Sequence, residues 1–376
     1  MNIALIGTRT GHGHISVLNA IKTKLSKAGV NLFVEKDFPE EKLSGYDFLS
    51  NFYNYLLGSS LELSNKFTEM LIHARSDKDN KFISQSQGAI IQYIESNKID
   101  IVVSFAPFLN YALYNATKKI SRKVQLTTVF TDPFLPYMVG FDCPFFDYYY
   151  VSDESVKSDL ISKGVDENRI FNYGFPVAES YFLKYSQDDI SRIKDSFGLE
   201  NQRKTIICNC GAEGNPLFLK YVNPILSLHE YIQCVFICGK NRFLYSSVKK
   251  IISNSIHNNI ILTGFIDNMP DLLKISDLMI TKPGANIVFE SLHSNVPLFI
   301  DITSGVLYQE RGIVNFIESK NLGFINRFSS QNLYHLSKII AESMLLDNYK
   351  TNIENLQLVD SAMMISNHIV SLINNI

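Results

Sequence analysis

The residues best able to do chemistry in this 376-residue chain lie in short loops that follow apolar runs. The first run, Ile3-Ala4-Leu5-Ile6, leads into Gly7-Thr8-Arg9-Thr10-Gly11-His12-Gly13-His14, with a helix predicted from near Ile15. A glycine-bearing turn that feeds a helix N-terminus presents backbone N–H groups and the positive end of the helix dipole to a polar or anionic ligand. Two imidazoles add groups that accept a proton near neutral pH. His14 is the better placed as a base in a cleft, His12 the second; the alternative for each is a structural histidine. The turn does not match G-x-G-x-x-G, and the nearest acidic residue after a second strand is Glu35, so a dinucleotide fingerprint is not met.

Asp132 closes another apolar run, Val129-Phe130-Thr131-Asp132-Pro133. A carboxylate at the C-terminal end of a strand in an open α/β sheet faces the ligand crevice. The competing reading is an Asp that forms a turn before proline. The second half carries two more glycine turns, Cys210-Gly211-Ala212-Glu213-Gly214-Asn215 and Thr281-Lys282-Pro283-Gly284-Ala285-Asn286. The second suits a diphosphate better. Gly284 permits close backbone approach, the amides of Gly284, Ala285 and Asn286 open a helix, and Glu290 lies about one turn further on, where its carboxylate can accept two ribose hydroxyls.

Such loops need a framework, and the rest of the chain supplies it. Strands are predicted at Ile3–Ile6, Ile101–Phe105, Gln125–Phe130, Tyr148–Val151, Thr205–Cys208, Cys234–Ile237, Ile260–Thr263, Leu278–Ile280 and Pro297–Ile300, with helix-length stretches between most of them. That is the α/β pattern of a parallel sheet covered by helices. The pattern runs twice, broken by a polar stretch from Tyr185 to Lys204. Length agrees, because single cores rarely grow beyond about 250–300 residues. The expected organisation is an N-terminal Rossmann-like domain over 1–182, a C-terminal one over 203–355, and a terminal helical segment over 356–376 that packs back on the first.

Hydrophobic residues make up 46% of the chain and charged residues 19%, with a net charge of −2. This describes a folded protein without the basic excess of a nucleic-acid binder. Cys143, Cys208, Cys210, Cys234 and Cys238 are odd in number and mostly sit in apolar runs, so buried reduced thiols are expected rather than a zinc site. No run of about 18 apolar residues predicts a membrane span. The N-terminus reads as a first strand, not a signal peptide. The segment from Tyr46 to Ala74 is rich in aromatic residues and poor in charge. It reads either as a buried helix and loop or as an apolar lip for a hydrophobic acceptor.

Taken in order, these motifs resemble family 28 glycosyltransferases, nearest to the monogalactosyldiacylglycerol synthases and processive diacylglycerol glucosyltransferases. In the second half the likeness is carried by Cys238-Gly239-Lys240-Asn241, Gly264-Phe265, Met269-Pro270, Asp277 through Gly284, Glu290, Gln309-Glu310 and Asn315. In the first half it is carried by Thr10-Gly11-His12-Gly13-His14, Thr131-Asp132, Asp147-x-Tyr149-Tyr150-Val151 and Gly174-Phe175-Pro176-Val177. It extends over roughly residues 1–325. Two departures concern the acceptor side: His12 stands where the family usually has glycine, and the stretch after Asp132 lacks the family's His and Trp, in a chain with no tryptophan. The Pro283-Gly284-Ala285-Asn286 turn also replaces a more glycine-rich version.

The resemblance implies the GT-B fold, two Rossmann-like domains facing across a cleft, and transfer with inversion and no metal. It implies Phe265 and Ile266 against the uracil, Gly284, Ala285 and Asn286 on the diphosphate, and Glu290 on the ribose. Gln309 and Glu310 would hold sugar hydroxyls. Gly211, Glu213 and Lys240 would line the donor side, with Gly11, His12 and Gly13 on the acceptor side. His14 would be base or acceptor anchor, and Asp132 its rival or the residue that orients it. The expected partners are a UDP-sugar, with no further cofactor, and a hydroxyl acceptor such as diacylglycerol. The expected location is cytoplasmic, with peripheral membrane contact through the N-terminal domain. The alternatives are the same transfer to a soluble or polymer-linked acceptor, a sugar-nucleotide epimerase of similar fold, and a non-catalytic subunit that keeps the nucleotide site.

Overall fold

The computed structural model describes residues 1–10 and 13–372. The chain divides into two compact units. The first comprises Met1–Glu179, Leu307–Gly312 and Val359–Ile376; the second comprises Ser180–Val306 and Ile313–Leu358. The span 203–355 is therefore interrupted, because Leu307–Gly312 groups with the first unit.

Each unit is built on a six-stranded sheet whose described pairings are parallel. The first holds β1 (Asn2–Ile6), β2 (Asn31–Glu35), β3 (Ile101–Ser104), β4 (Gln125–Val129), β5 (Tyr148–Val151) and β6 (Ile170–Asn172), in the order β2-β1-β3-β4-β5-β6. The second holds β7 (Lys204–Asn209), β8 (Ile232–Ile237), β9 (Ile260–Thr263), β10 (Leu278–Thr281), β11 (Leu298–Asp301) and β12 (Gly323–Asn326), in the order β12-β11-β10-β7-β8-β9. This is the α/β architecture of paired Rossmann-like units found in the GT-B fold.

Helices cover the central strands on both faces, so these strands read as continuous apolar runs. Ile101, Val102 and Val103 of β3 are fully buried, as are Leu278, Met279 and Ile280 of β10. Each such side chain contributes roughly 1.5–3 kcal/mol by leaving water. The three strands with no predicted counterpart, β2, β6 and β12, all lie at sheet edges. With one neighbour each and partly exposed side chains, they lack that apolar signature. The five cysteines are free thiols buried in the interior.

Both sheets have a point where the winding direction reverses, and an open α/β sheet binds ligands beyond the strand ends at that point. In the first unit it lies between β1 and β3, in the second between β7 and β10. The loops that leave these strands include the glycine turns after β1, β7 and β10. Among the described residues, no helix is long and apolar enough to cross a membrane.

The first helix, Gly13–Lys27, buries Val17, Leu18, Ile21 and Leu25 on one face. The helix Ser361–Ser371 packs against it. The ammonium of Lys24, itself buried, pairs with Asp360 at 2.7 Å and Glu179 at 3.3 Å. Asp360 also caps the later helix by accepting the Met363 N–H at 2.9 Å. One carboxylate thus joins the two helices and satisfies one of the terminal amides that a helix leaves unpaired.

Candidate active site

The turn after β1 is held from below by a buried carboxylate. Glu40 Oε1 accepts the Thr8 hydroxyl at 2.7 Å, the Arg9 N–H at 3.0 Å and the Ser50 hydroxyl at 3.0 Å. Thr10 and Ser50 hydroxyls meet at 2.9 Å. Gly11 and His12 lie outside the described residues. Gly13 opens the first helix and His14 follows it. His14 Nδ1 lies 2.7 Å from the Thr131 hydroxyl, and the ring also hydrogen-bonds the main chain of Phe105. Desolvation lowers its pKa to about 4, only partly opposed by the Phe105 bond, so the ring is neutral at pH 7.

His14 lines an apolar groove enclosing about 590 Å³, its open mouth included. Thr8 and Thr10 enter from the loop after β1, and Ala106, Pro107 and Phe108 from the loop after β3. The groove therefore sits at the winding reversal. Its walls are completed by Tyr46, Leu49 and Tyr53 from helix Tyr46–Ser59, by Phe67 and Leu71 from helix Leu61–Ala74, and by Met138 and Val139. The Tyr46-to-Ala74 segment forms two helices, Tyr46–Ser59 and Leu61–Ala74. One side of the helix pair encloses the groove, while the other exposes Phe48, Phe52, Tyr55, Leu63 and Met70.

Asp132, just beyond β4, is buried, and its Oδ2 accepts the Met138 N–H at 2.9 Å. Burial raises its pKa to about 7; the Met138 bond opposes that shift and the charge of Glu310 adds to it. Glu310 is buried too. It stands in the short turn Tyr308–Glu310, inside the segment that groups with the first unit. Gln309 lies beside the Tyr53 hydroxyl.

In the second unit the turns after β7, β8 and β10 come from three adjacent strands. Gly239 is packed so closely on the turn after β7 that a Cβ would lie 2.3 Å from the Gly211 carbonyl oxygen, and its φ of +58° also favours glycine. Lys240 pairs with Glu213 at 3.0 Å, and its ammonium stands 5.7 Å from the ring centre of Phe265. Phe265 is half-exposed and Ile266 partly buried, both after the edge strand β9. Gly284 is the N-cap of helix Ala285–His293 and provides no side-chain acceptor for the first-turn amides. Glu290 lies in the same helix. The Tyr181 hydroxyl hydrogen-bonds its carboxyl, and desolvation nevertheless raises its pKa to about 7.

Family models match both halves of the chain. Residues 14–177 match the monogalactosyldiacylglycerol synthase model, and residues 205–304 match the glycosyltransferase family 28 C-terminal domain. The chain is a glycosyltransferase of the family 28 type. A processive diacylglycerol β-glucosyltransferase of Bacillus licheniformis is 23% identical to it over 376 residues, covering 98% of this chain and 94% of the relative. Among solved structures, Anabaena HepE in complex with UDP has a TM-score of 0.60 at 12% identity, with 100% of each chain covered. A UDP-GlcNAc 2-epimerase of Neisseria meningitidis bound to UDP-GlcNAc has a TM-score of 0.61 at 11% identity, again with 100% of each chain covered. Fold likeness alone therefore does not separate transferase from epimerase.

Three parts of the candidate site had no separate signal in the sequence. Glu40 sits in a plain acidic stretch, Pro39-Glu40-Glu41, and only the fold brings it beneath the first turn. Tyr181 follows the Gly174–Val177 motif and reaches Glu290 from outside the second sheet's own loops. Thr131 was visible only as the neighbour of Asp132, yet its hydroxyl is what touches His14.

Proposed function

We propose that this glycosyltransferase moves a hexose or N-acetylhexosamine from a UDP-sugar to the hydroxyl of a diacylglycerol-like lipid, with inversion and without a metal. The observation that carries the acceptor class is the apolar groove on which His14 opens. A hydroxyl carried on acyl chains gains from burying the chains along Phe67, Leu71, Phe108 and Val139, at about 0.8 kcal/mol per methylene. A soluble sugar acceptor finds few polar partners along those walls. The names of the Bacillus relative and of the nucleotide-bound structures support the lipid acceptor and the UDP donor respectively.

In this reading His14 takes the proton as the acceptor oxygen attacks the anomeric carbon from the face opposite the leaving UDP. Asp132 has the pKa better matched to neutral pH, but His14 is the group that lines the groove. Position outranks basicity in choosing a base. UDP gains negative charge as it leaves, and the amides after Gly284 are suited to stabilise it. Glu290 fixes the ribose, and Phe265 and Ile266 cover the uracil.

The exposed side of the helix pair 46–74 completes the reading. Phe48 and Tyr55, at 74% and 69% exposure, suit insertion into the headgroup region of a bilayer, where a lipid can enter the groove without crossing water. Phe52 stacks on Phe48 at 6.5 Å and meets Phe67 of the groove wall at 5.5 Å, linking the two sides. The deciding experiment is a donor-by-acceptor screen monitored by UDP release, with diacylglycerol vesicles among the acceptors. UDP released only with the lipid is the expected result. Interconversion of two UDP-sugars without acceptor, or equal turnover with a soluble acceptor, would overturn it. Phe48→Ser with Tyr55→Ser should reduce co-sedimentation with vesicles and leave UDP binding intact.

A further inference from the structure

Gln309 and Glu310, the residues that the resemblance assigns to the donor sugar, are anchored on the wall of the lipid groove. The turn Tyr308–Glu310 packs against helix Leu61–Ala74. Asn65 Oδ1 accepts the Tyr308 backbone N–H at 2.8 Å. One helical turn further on, Glu69 reaches Arg311 at 3.7 Å, and the Arg311 guanidinium stands 5.2 Å from the ring centre of Tyr308. Where the segment ends, Gly312 lies so close to the loop after Asp132 that a Cβ would come within 2.3 Å of the Leu135 carbonyl oxygen. Asn65 and Glu69 are four residues apart and so share one helix face. Phe67 and Leu71 of the same helix line the groove. A single helix therefore carries both the acceptor wall and the support of the Gln309-Glu310 turn.

We propose that Asn65 is a positioning residue that sets where Gln309 and Glu310 stand, so that recognition of the donor's sugar, but not of its nucleotide, depends on helix Leu61–Ala74. The inference rests on the reading that Gln309 and Glu310 hold sugar hydroxyls. Its physical basis is that the turn is short and has little regular structure of its own. The Asn65 bond fixes the backbone immediately before both side chains. Misplacing a binding group by about 1 Å can cost on the order of a hundredfold in rate.

The test compares Asn65→Leu, which keeps the bulk and removes the acceptor, with Asn65→Asp, which keeps the acceptor. Both are measured in the full chain for UDP and UDP-glucose affinity by calorimetry, and for kcat and KM with diacylglycerol vesicles. Asn65→Leu should weaken UDP-glucose binding and raise its KM about tenfold while UDP affinity stays within about twofold, and Asn65→Asp should restore both. Unchanged UDP-glucose affinity in Asn65→Leu overturns the proposal, and so does an equal loss of UDP and UDP-glucose, which would mark a merely structural role. Gln309→Ala and Glu310→Gln run beside them. If these two leave the ratio of UDP-glucose to UDP affinity unchanged, the sugar-hydroxyl reading fails and takes the proposal with it. If they change it and Asn65→Leu does not, only the proposal fails.

Discussion

Glu290 offers a proton-linked test of the donor site. Its carboxyl is held near a pKa of about 7 by desolvation, against the pull of the Tyr181 hydroxyl. Two ribose hydroxyls, one on each carboxyl oxygen, donate most strongly to the ionised form, which keeps no proton of its own to place. With a pKa of about 7, that form makes up about a tenth of the free protein at about pH 6 and about nine-tenths at about pH 8. UDP-glucose should therefore bind about tenfold tighter at the higher pH. The sign follows from linkage: the ligand selects the ionised carboxylate, lowers its pKa and expels a proton. Calorimetry in two buffers of different ionisation enthalpy should record proton release near neutral pH. UDP-glucose is the better ligand because its diphosphate is esterified at both ends and does not titrate there, whereas the terminal phosphate of UDP does. Glu290→Gln keeps the shape and loses the charge. Hydrogen bonds to a charged group are worth about 1.5–3 kcal/mol, so affinity should fall about tenfold to a hundredfold and the pH dependence should flatten. A flat wild-type profile, no proton release and unchanged affinity in Glu290→Gln would refute the assignment of Glu290 to the ribose.

Four further outcomes are expected. His14→Ala should lower transfer by about a hundredfold to ten-thousandfold with UDP-glucose affinity within about twofold. In the wild type at saturating UDP-glucose, where the bound donor already holds Glu290 ionised, kcat/KM for the lipid acceptor should fall only as pH drops through about 4, where His14 gains its proton, whereas a limb near 7 under those conditions would assign the base to Asp132. Leu71→Trp should fill part of the groove and raise the KM for diacylglycerol about tenfold, read against an unchanged UDP affinity. Asp360→Ala removes a helix cap and one partner of buried Lys24, so chemical denaturation should show a loss of about 2–3 kcal/mol from the first unit's transition.

The α/β class was legible because central parallel strands are apolar along their whole length, and that signal survives in a single sequence. Of the four edge strands only β9 was, since β2 and β12 show partly exposed side chains and β6 spans only Ile170–Asn172. At the site, the glycine turns after β1, β7 and β10 were visible because local backbone geometry demands particular residue types. The supports of these turns were not. Glu40 serves Thr8 across 32 positions and Asn65 serves Tyr308 across 243, and nothing local marks either. The groove was half-legible. Its aromatic residues announced an apolar surface, but which side chains face inward depends on how two helices pack on loops from β1 and β3.

The composition of the first unit has a consequence for how the protein is made. Its first helix is complete within the opening 27 residues, yet Lys24 finds Asp360 only 336 positions later. Between the two, the ribosome must deliver every strand of the other sheet. During most of translation the nascent first unit therefore lacks the helix that covers this face and the carboxylate at 360 that pairs Lys24. Arrival of helix Ser361–Ser371, not completion of the first sheet, closes that unit.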